Sequence, residues 1–162
     1  LLIGSSFSTF SSTGLTNVTD FSPGPSGSVY AVESDGSLAH WGSASLGSPP
    51  LGNFLAVDCS AACCALTSTN EIECWGSWPY PWSLPSAPYQ AVSVGNKNGS
   101  FVCGLQTSGL VDCTDFPGAL SMQPPPSLFV QFDCTEDTCC GVTQSNTLEC
   151  WGDNSEGQAT PP

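Results

Sequence analysis

The sequence predicts an all-β protein of four tandem repeats, each the size of one propeller blade. Pairs of residues ten positions apart recur along the chain: Tyr30 and His40, Cys64 and Cys74, Cys103 and Cys113, and Cys140 and Cys150. Successive copies begin 34 to 39 residues apart, a period typical of propellers and solenoids. No stretch shows the sustained 3.6-residue apolar period that a helical repeat requires. The repeat is therefore built from strands.

Each copy is predicted to fold back on itself as a hairpin. If Cys64 faces Cys74, then Leu66 faces Ile72. The other copies place an aliphatic pair at the same two positions: Val32 and Leu38, Leu105 and Val111, and Val142 and Leu148. Because strand side chains alternate with a period of two, the outer and inner pairs share one face. Residues that tolerate a positive φ stand at the bends, namely Asp35-Gly36, Asn70, Ser108-Gly109 and Asn146.

A further apolar, β-prone segment precedes every hairpin, at residues 18–21, 54–57, 91–94 and 128–132. Each repeat then has at least three strands, followed by a Pro- and Gly-rich connection with room for a fourth. We expect an N-terminal strand segment over residues 1–16 and a propeller-like domain over residues 17–162. Its repeats span about 17–53, 54–89, 90–127 and 128–162. Either a closed small propeller or an open arc fits this pattern.

Ten cysteines in 162 residues indicate an oxidising compartment, and their even number favours complete pairing in a secreted protein. The hairpin geometry predicts disulfides 64–74, 103–113 and 140–150, each contributing roughly 2.5 to 3 kcal/mol in the chain-entropy model. The remaining pairs, Cys59 with Cys63 and Cys134 with Cys139, close tighter turns. Because Cys63-Cys64 and Cys139-Cys140 are adjacent, these roles are exchangeable. Zinc is disfavoured, because the clusters lack paired C-x-x-C spacing and His40 is the only histidine.

The charge balance excludes several partners. Fourteen acidic residues face one cation, Lys97, for a formal net charge of -13. Nucleic acid and anionic membrane surfaces are bound by clustered Lys and Arg, which this chain lacks. No apolar run approaches the roughly 20 residues of a membrane-spanning helix. The chain begins at Leu1 with no charged leader, so we expect that any signal peptide has been removed.

Two sequons, at Asn17 and Asn98, predict N-linked glycans on this charge-poor chain. Covalent glycans are the only non-protein groups expected, and no cofactor is. The protein is thus interpreted as a secreted, extracellular glycoprotein.

The hairpin motifs resemble the regulator of chromosome condensation repeat, in the short, cysteine-bearing form of extracellular proteins and some plant receptor-like kinase ectodomains. The residues that carry the resemblance are Cys64-Ala65-Leu66, Cys74-Trp75-Gly76, Cys103-Gly104-Leu105 and residues 150–158, which fit the signature C-W-G-x-N-x-x-G-Q. The resemblance covers about residues 17 to 160 and implies a β-propeller. Family members usually have seven blades, and this chain has four recognisable repeats. The founding member's nucleotide exchange on a nuclear GTPase is not carried over to an acidic, disulfide-rich chain.

Candidate catalytic groups are few, and we expect no enzyme. His40 stands where other copies have cysteine, so packing against Tyr30 is its expected role. Lys97 lies beside the Asn98 sequon, in a predicted turn. Asp133, Glu136 and Asp137 could ligate calcium, but a solvated acidic turn is favoured. No nucleophile elbow, P-loop or dinucleotide fingerprint is present.

Two functions compete. In the first, the chain is a structural subunit of an extracellular assembly, for example a head-to-tail filament of copies of itself. Its N-terminal strand would complete a neighbour's blade through the apolar residues Leu1, Leu2, Ile3, Phe7 and Phe10.

The second is a monomeric module that recognises a glycan or an extracellular protein. It would use the aromatic cluster Trp78, Tyr80 and Trp82, whose rings stand on a proline-stiffened connection.

Overall fold

A computed structural model describes residues 14–43, 46–76, 84–96, 100–114 and 122–162 of the chain. These ranges contain twelve strands in four three-stranded antiparallel sheets. The strands are β1 (Val18–Pro23), β2 (Ser28–Glu33), β3 (Leu38–Gly42), β4 (Phe54–Cys59), β5 (Cys63–Thr67), β6 (Ile72–Trp75), β7 (Tyr89–Asn96), β8 (Ser100–Gln106), β9 (Val111–Cys113), β10 (Phe129–Cys134), β11 (Thr138–Thr143) and β12 (Leu148–Gly152). A short 3-10 turn, Pro25–Gly27, joins β1 to β2. The described ranges hold no α-helix, and thus none that could cross a membrane.

Every sheet is a meander whose strands follow one another in chain order. The hairpin register is the one the repeat spacing predicts: Cys64 pairs with Cys74 and Leu66 with Ile72, and the other three sheets repeat this arrangement. The prediction of an all-β chain with four hairpin repeats is therefore confirmed. The described parts of the connections contain no fourth strand.

The turns and bulges also repeat from sheet to sheet. Four equivalent turn residues have a positive φ and are glycine or asparagine, the residues that best tolerate it: Gly36 (85°), Asn70 (66°), Gly109 (95°) and Asn146 (60°). The first strand of every sheet carries a register shift at its second residue, as between Phe54 and Ala56. Such bulges increase the local twist of a strand.

Five disulfides join the ten cysteines within their own sheets. Three link the second and third strands, Cys64–Cys74, Cys103–Cys113 and Cys140–Cys150. Two link the first and second strands, Cys59–Cys63 and Cys134–Cys139. The adjacent cysteines of β5 and β11 thus point to opposite faces of their sheets, as alternation in a strand requires.

Consecutive sheets pack through separate apolar clusters. Tyr30, Leu46, Phe54 and Trp75 belong to the cluster between the first and second sheets. Val94, Val102 and Ile72 join the second to the third. Phe129, Phe132 and Trp151 pack against third-sheet residues at the last junction. Among the described strands the fourth sheet does not pack back on the first, so the sheets form an open arc rather than a closed ring.

Candidate functional site

Several predicted sites lie outside the described residues. They are the aromatic cluster Trp78, Tyr80 and Trp82, the apolar residues Leu1, Leu2, Ile3, Phe7 and Phe10, and the glycosylation site Asn98 with its neighbour Lys97. The other predicted glycosylation site, Asn17, is exposed and immediately precedes β1.

A groove lies between the second sheet and the connection that enters the third. Its volume is about 320 Å³, and its lining includes Glu71, Ile72, Glu73, Leu84, Pro85 and Tyr89. Ile72 and Leu84 are half-buried, whereas both glutamates are exposed. Because β6 alternates, Ile72 faces inward between two outward carboxylates. We call this site the Glu71–Tyr89 groove; it combines an apolar floor with an acidic rim.

Tyr89 forms one wall of the groove. It is only 2% exposed, and its hydroxyl lies 2.8 Å from the Pro85 carbonyl oxygen and 3.0 Å from Asp112 Oδ2. Burial raises the pKa of the Tyr89 phenol, and the Asp112 carboxylate raises it further. The hydroxyl therefore stays protonated and donates, which fixes Pro85 and the connection that carries it.

The opposite wall is held by the turn between β5 and β6. Thr67 Oγ1 accepts the Glu71 N–H at 3.0 Å and lies 2.9 Å from Thr69 Oγ1. Thr69 Oγ1 in turn donates to Glu71 Oε2 at 3.1 Å. These local hydrogen bonds order the turn. The groove thus has two preformed walls.

A second feature is a ladder of polar side chains on the first strands of the sheets. Ser22, Asp58, Ser93 and Asp133 occupy one register position, opposite Tyr30 or the first cysteine of a hairpin. Each of the first three accepts a backbone N–H from the next sheet. These bonds run from Cys59 to Ser22 Oγ (3.0 Å), from Val94 to Asp58 Oδ2 (2.8 Å) and from Cys134 to Ser93 Oγ (3.1 Å). We call these four residues the inter-sheet ladder.

Asp58 is the centre of this ladder. Its Oδ1 accepts from the Ser22 hydroxyl at 3.1 Å and from the Cys59 N–H at 2.9 Å. Its Oδ2 lies 3.1 Å from the Ser93 hydroxyl and accepts the Val94 N–H. Burial raises the pKa of the Asp58 carboxyl, although these hydrogen bonds oppose the rise. One carboxylate thereby joins three sheets.

The ladder was not predicted from the sequence. The sequence does contain a sign of it, because the four ladder residues recur 35 to 40 residues apart, one on the first strand of each sheet. Finding it required the hairpin register to be extended to the first strand, across a bulge that shifts the pairing.

The other candidate residues take part in ring stacking, in hydrogen bonds of the ladder or in disulfides. His40 is exposed and its ring stacks on Tyr30, with centroids 5.8 Å apart. Asp133 lies 3.2 Å from the Ser93 hydroxyl as part of the ladder. Among the described residues, the one group of potential metal ligands within 4.8 Å of one another is Cys103, Cys134 and Cys139. Their sulfurs are in disulfides, so they offer no thiolate.

Comparison with known proteins supports the fold. The family model of the Regulator of chromosome condensation (RCC1) repeat matches residues 129–158. The ectodomain of the Arabidopsis thaliana receptor kinase ACR4 aligns with a TM-score of 0.65 and 25% identity, over 82% of this chain and 48% of that one. The Physcomitrella patens receptor kinase CR4 ectodomain gives a TM-score of 0.68 and 19% identity, over 85% and 43%.

Saccharomyces cerevisiae Prp20p, whose structure was described with its binding to Gsp1p and histones, gives a TM-score of 0.66 and 15% identity, over 88% and 46%. No curated protein sequence matches. The chain thus carries RCC1-like β-propeller repeats, stapled by disulfides. It spans less than half the length of the structures that it resembles.

Proposed function

We propose that this chain is a non-enzymatic recognition module of an extracellular or cell-surface protein, and that it binds a cationic protein segment in the Glu71–Tyr89 groove. The observation that carries the proposal is the groove itself, with preformed walls, an apolar floor and an acidic rim. The likeness to the ACR4 receptor kinase ectodomain supports an extracellular setting, as do the five disulfides.

The chemistry of the groove selects the partner. Lys and Arg side chains lay their methylene stems on apolar surface and keep the charged head in a polar environment. Ile72 and Leu84 provide such a floor, and Glu71 and Glu73 lie where the charged heads would stand. Apart from His40, the ionisable side chains of Asp, Glu, Lys and Arg type in the described ranges are all acidic. The electrostatic potential around the groove therefore also favours cationic ligands.

This proposal follows the second of the two functions that the sequence predicts. The filament hypothesis depends on residues 1–10, which lie outside the described residues. Leu84, which lines the groove, directly follows residues 77–83 in the sequence, and those residues contain the predicted aromatic cluster. Recognition of a protein segment therefore uses a surface continuous in sequence with that cluster.

The test is fluorescence anisotropy with a labelled, extended peptide in which Lys alternates with Leu. The wild-type chain, with its disulfides intact, is expected to bind, and affinity should fall steeply as salt is raised. The double substitution Glu71→Gln and Glu73→Gln should weaken binding at least tenfold, because both rim charges are lost.

The matched control is the double substitution Glu136→Gln and Glu156→Gln, which removes the same charge at exposed positions away from the groove. It should change the affinity less than twofold. Equal losses in the two double variants would show that only net charge attracts the peptide, and the proposal would then be wrong.

A further inference from the structure

An open pocket lies beside the turn between β2 and β3, where the first two sheets meet. Its volume is about 410 Å³, and its lining includes Thr19, Glu33, Asp35, Asn53, Leu55 and Ser68. The first three of these residues belong to the first sheet and its turn, and the last three belong to the second sheet and its flanking segments. We call this site the first-junction pocket.

Backbone hydrogen bonds hold the two sides of the pocket together. The Phe54 N–H donates to the Gly36 carbonyl oxygen, and the Ser68 N–H donates to the Asn53 carbonyl oxygen, both at 2.8 Å. The first bond joins the two sheets, and the second fixes the segment that enters β4 against the turn that follows β5. The first-junction pocket is therefore preformed.

The turn residues of the first sheet differ from those of the other three. In the other turns, the side chains equivalent to Glu33 and Asp35 lie 2.9 Å apart, oxygen to oxygen, and bond to each other: Thr67 with Thr69, Gln106 with Ser108, and Thr143 with Ser145. Two carboxylates cannot pair in this way, because an ionised carboxylate only accepts hydrogen bonds.

The two carboxylates are thus acceptors that the turn does not use up. Asp35 Oδ1 accepts the N–H and the hydroxyl of Ser37. Among the described residues, no donor bonds to the Glu33 carboxylate. A ligand of the first-junction pocket should therefore be rich in N–H and O–H donors.

The predicted glycosylation site Asn17 stands at the edge of this pocket. Asn17 is exposed, and its carbonyl oxygen accepts the N–H of the lining residue Ser34 at 2.8 Å. Thr19, the third residue of the same sequon, also lines the pocket. An N-linked glycan begins with N-acetylglucosamine on the asparagine amide nitrogen. Its first sugar would therefore start at the edge of the pocket.

The chemistry of this sugar matches the lining. Its hydroxyls and acetamide N–H are donors for the carboxylates of Glu33 and Asp35, and the Asn53 amide both donates and accepts. Its ring face and acetyl methyl group are apolar, and Leu55, which is 52% exposed, offers them an apolar surface. The sugar is uncharged, so the acidic chain does not repel it.

We propose that the first-junction pocket holds the chain's own glycan, with the innermost N-acetylglucosamine of Asn17 packed between Asp35 of the first sheet and Leu55 of the second. Covalent attachment through a short link gives this sugar a millimolar or higher effective concentration. A pocket that binds the free sugar weakly is filled on these terms. The glycan then links the first two sheets and stabilises their junction, independently of the Glu71–Tyr89 groove.

The experiment uses the full chain secreted from eukaryotic cells, with its disulfides intact. Mass spectrometry of the glycopeptides measures the occupancy of Asn17, which we expect to be glycosylated. The folded glycoprotein is then treated with a peptide N-glycosidase, and the release of the glycan from Asn17 is followed over time. We expect release at least tenfold slower than from the same protein after reduction and denaturation.

The test variant carries Glu33→Thr and Asp35→Thr, which copies the self-bonded turn of the second sheet and should therefore fold. It keeps the sequon but loses both acceptors of the pocket. Its folded form should release the Asn17 glycan at least fivefold faster than folded wild type. Leu55→Ala, which removes the apolar surface, should also speed up release and serves if the double variant does not fold.

The matched control is the double substitution Glu136→Thr and Glu156→Thr, which removes the same charge at exposed positions away from the pocket. It should change the release rate less than twofold. Circular dichroism and thermal melting establish that each variant is folded.

Thermal melting gives a second, independent readout. Asn17→Gln removes the glycan and should lower the melting temperature by a few degrees in the wild-type background. In the background of Glu33→Thr and Asp35→Thr it should have a smaller effect, because the pocket is already lost. The comparison cancels any strain that the substitution itself causes, since that strain is present in both backgrounds.

Three results would overturn the proposal. One is an unoccupied Asn17 in the secreted chain. Another is release from folded wild type that is as fast as from the folded pocket variants, or that the control variant accelerates equally, since charge alone would then set the rate. The third is an equal loss of melting temperature for Asn17→Gln in both backgrounds, since the glycan would then stabilise the chain without occupying the pocket.

Discussion

The hairpins of the third and fourth sheets have the same register of paired residues but differ in burial. The fourth sheet covers the hairpin of the third, whereas no described strand covers the hairpin of the fourth. Cys103, Leu105 and Val111 are all buried beneath the fourth sheet. Their equivalents Cys140, Val142 and Leu148 are half-buried or exposed. The repeat sequence thus determines the register, the turn and the disulfide of each hairpin. The burial of these side chains depends instead on the neighbouring sheet. Residues at equivalent positions of two repeats should therefore contribute unequally to the free energy of unfolding.

The largest difference is expected for leucine truncation. Leu105→Ala should lower the free energy of unfolding by about 2–5 kcal/mol, because it leaves a cavity at a position that is 1% exposed. Leu148→Ala should cost less than about 0.5 kcal/mol, because that side chain is 51% exposed and fills no core. Denaturant unfolding of the oxidised variants measures both.

Equal losses for the two leucines would contradict the comparison, since they would mean that Leu148 is covered in the isolated chain. The slope of the free energy against denaturant serves as the control. An unchanged slope shows that the substitutions alter stability rather than the denatured state.

A smaller difference is expected along the inter-sheet ladder. Ser93→Ala removes one of the two acceptors of the buried Cys134 N–H, which keeps Asp133 Oδ1, and removes the hydroxyl beside Asp58; it should cost about 0.5–1.5 kcal/mol. Asp133→Ala should change stability by less than about 0.5 kcal/mol, because no following sheet donates to Asp133 in the described residues.

Ser93→Thr is the matched control for Ser93→Ala, because it keeps the hydroxyl. It should restore most of the loss, apart from the strain of an added methyl group at a position that is 2% exposed. If Ser93→Thr is no more stable than Ser93→Ala, the effect comes from packing and not from the hydrogen bond.

The same contrast explains how far the sequence alone could predict the molecule. The hairpins, their turns and the order of the four repeats could be predicted from the sequence, because they depend on residues within about ten positions of one another, such as Cys64 and Cys74. The Glu71–Tyr89 groove was not, because it joins β6 to a connection with no periodic pattern. The ladder required contacts between residues such as Asp58 and Val94, which are 36 positions apart in different sheets.

The smallest effect is expected in the pH dependence of Asp58. Its pKa is raised by burial, so the folded state holds this proton more tightly than the unfolded state does. Stability should therefore fall as pH rises from the ordinary value of 3.8 through the raised pKa. Asp58→Asn removes the titration, so the free energy of unfolding of wild type relative to this variant should decrease across that window.

Asp35 supplies the control of opposite sign. Hydrogen bonds from the Ser37 backbone N–H and hydroxyl lower the pKa of this fully exposed carboxyl. Wild type should therefore gain stability relative to Asp35→Asn as pH rises through the lowered pKa toward 3.8. Urea unfolding at a series of pH values below neutrality measures both trends. Two trends of the same sign would mean that the hydrogen bonds to Asp58 outweigh its desolvation, so that the ionised carboxylate stabilises the arc.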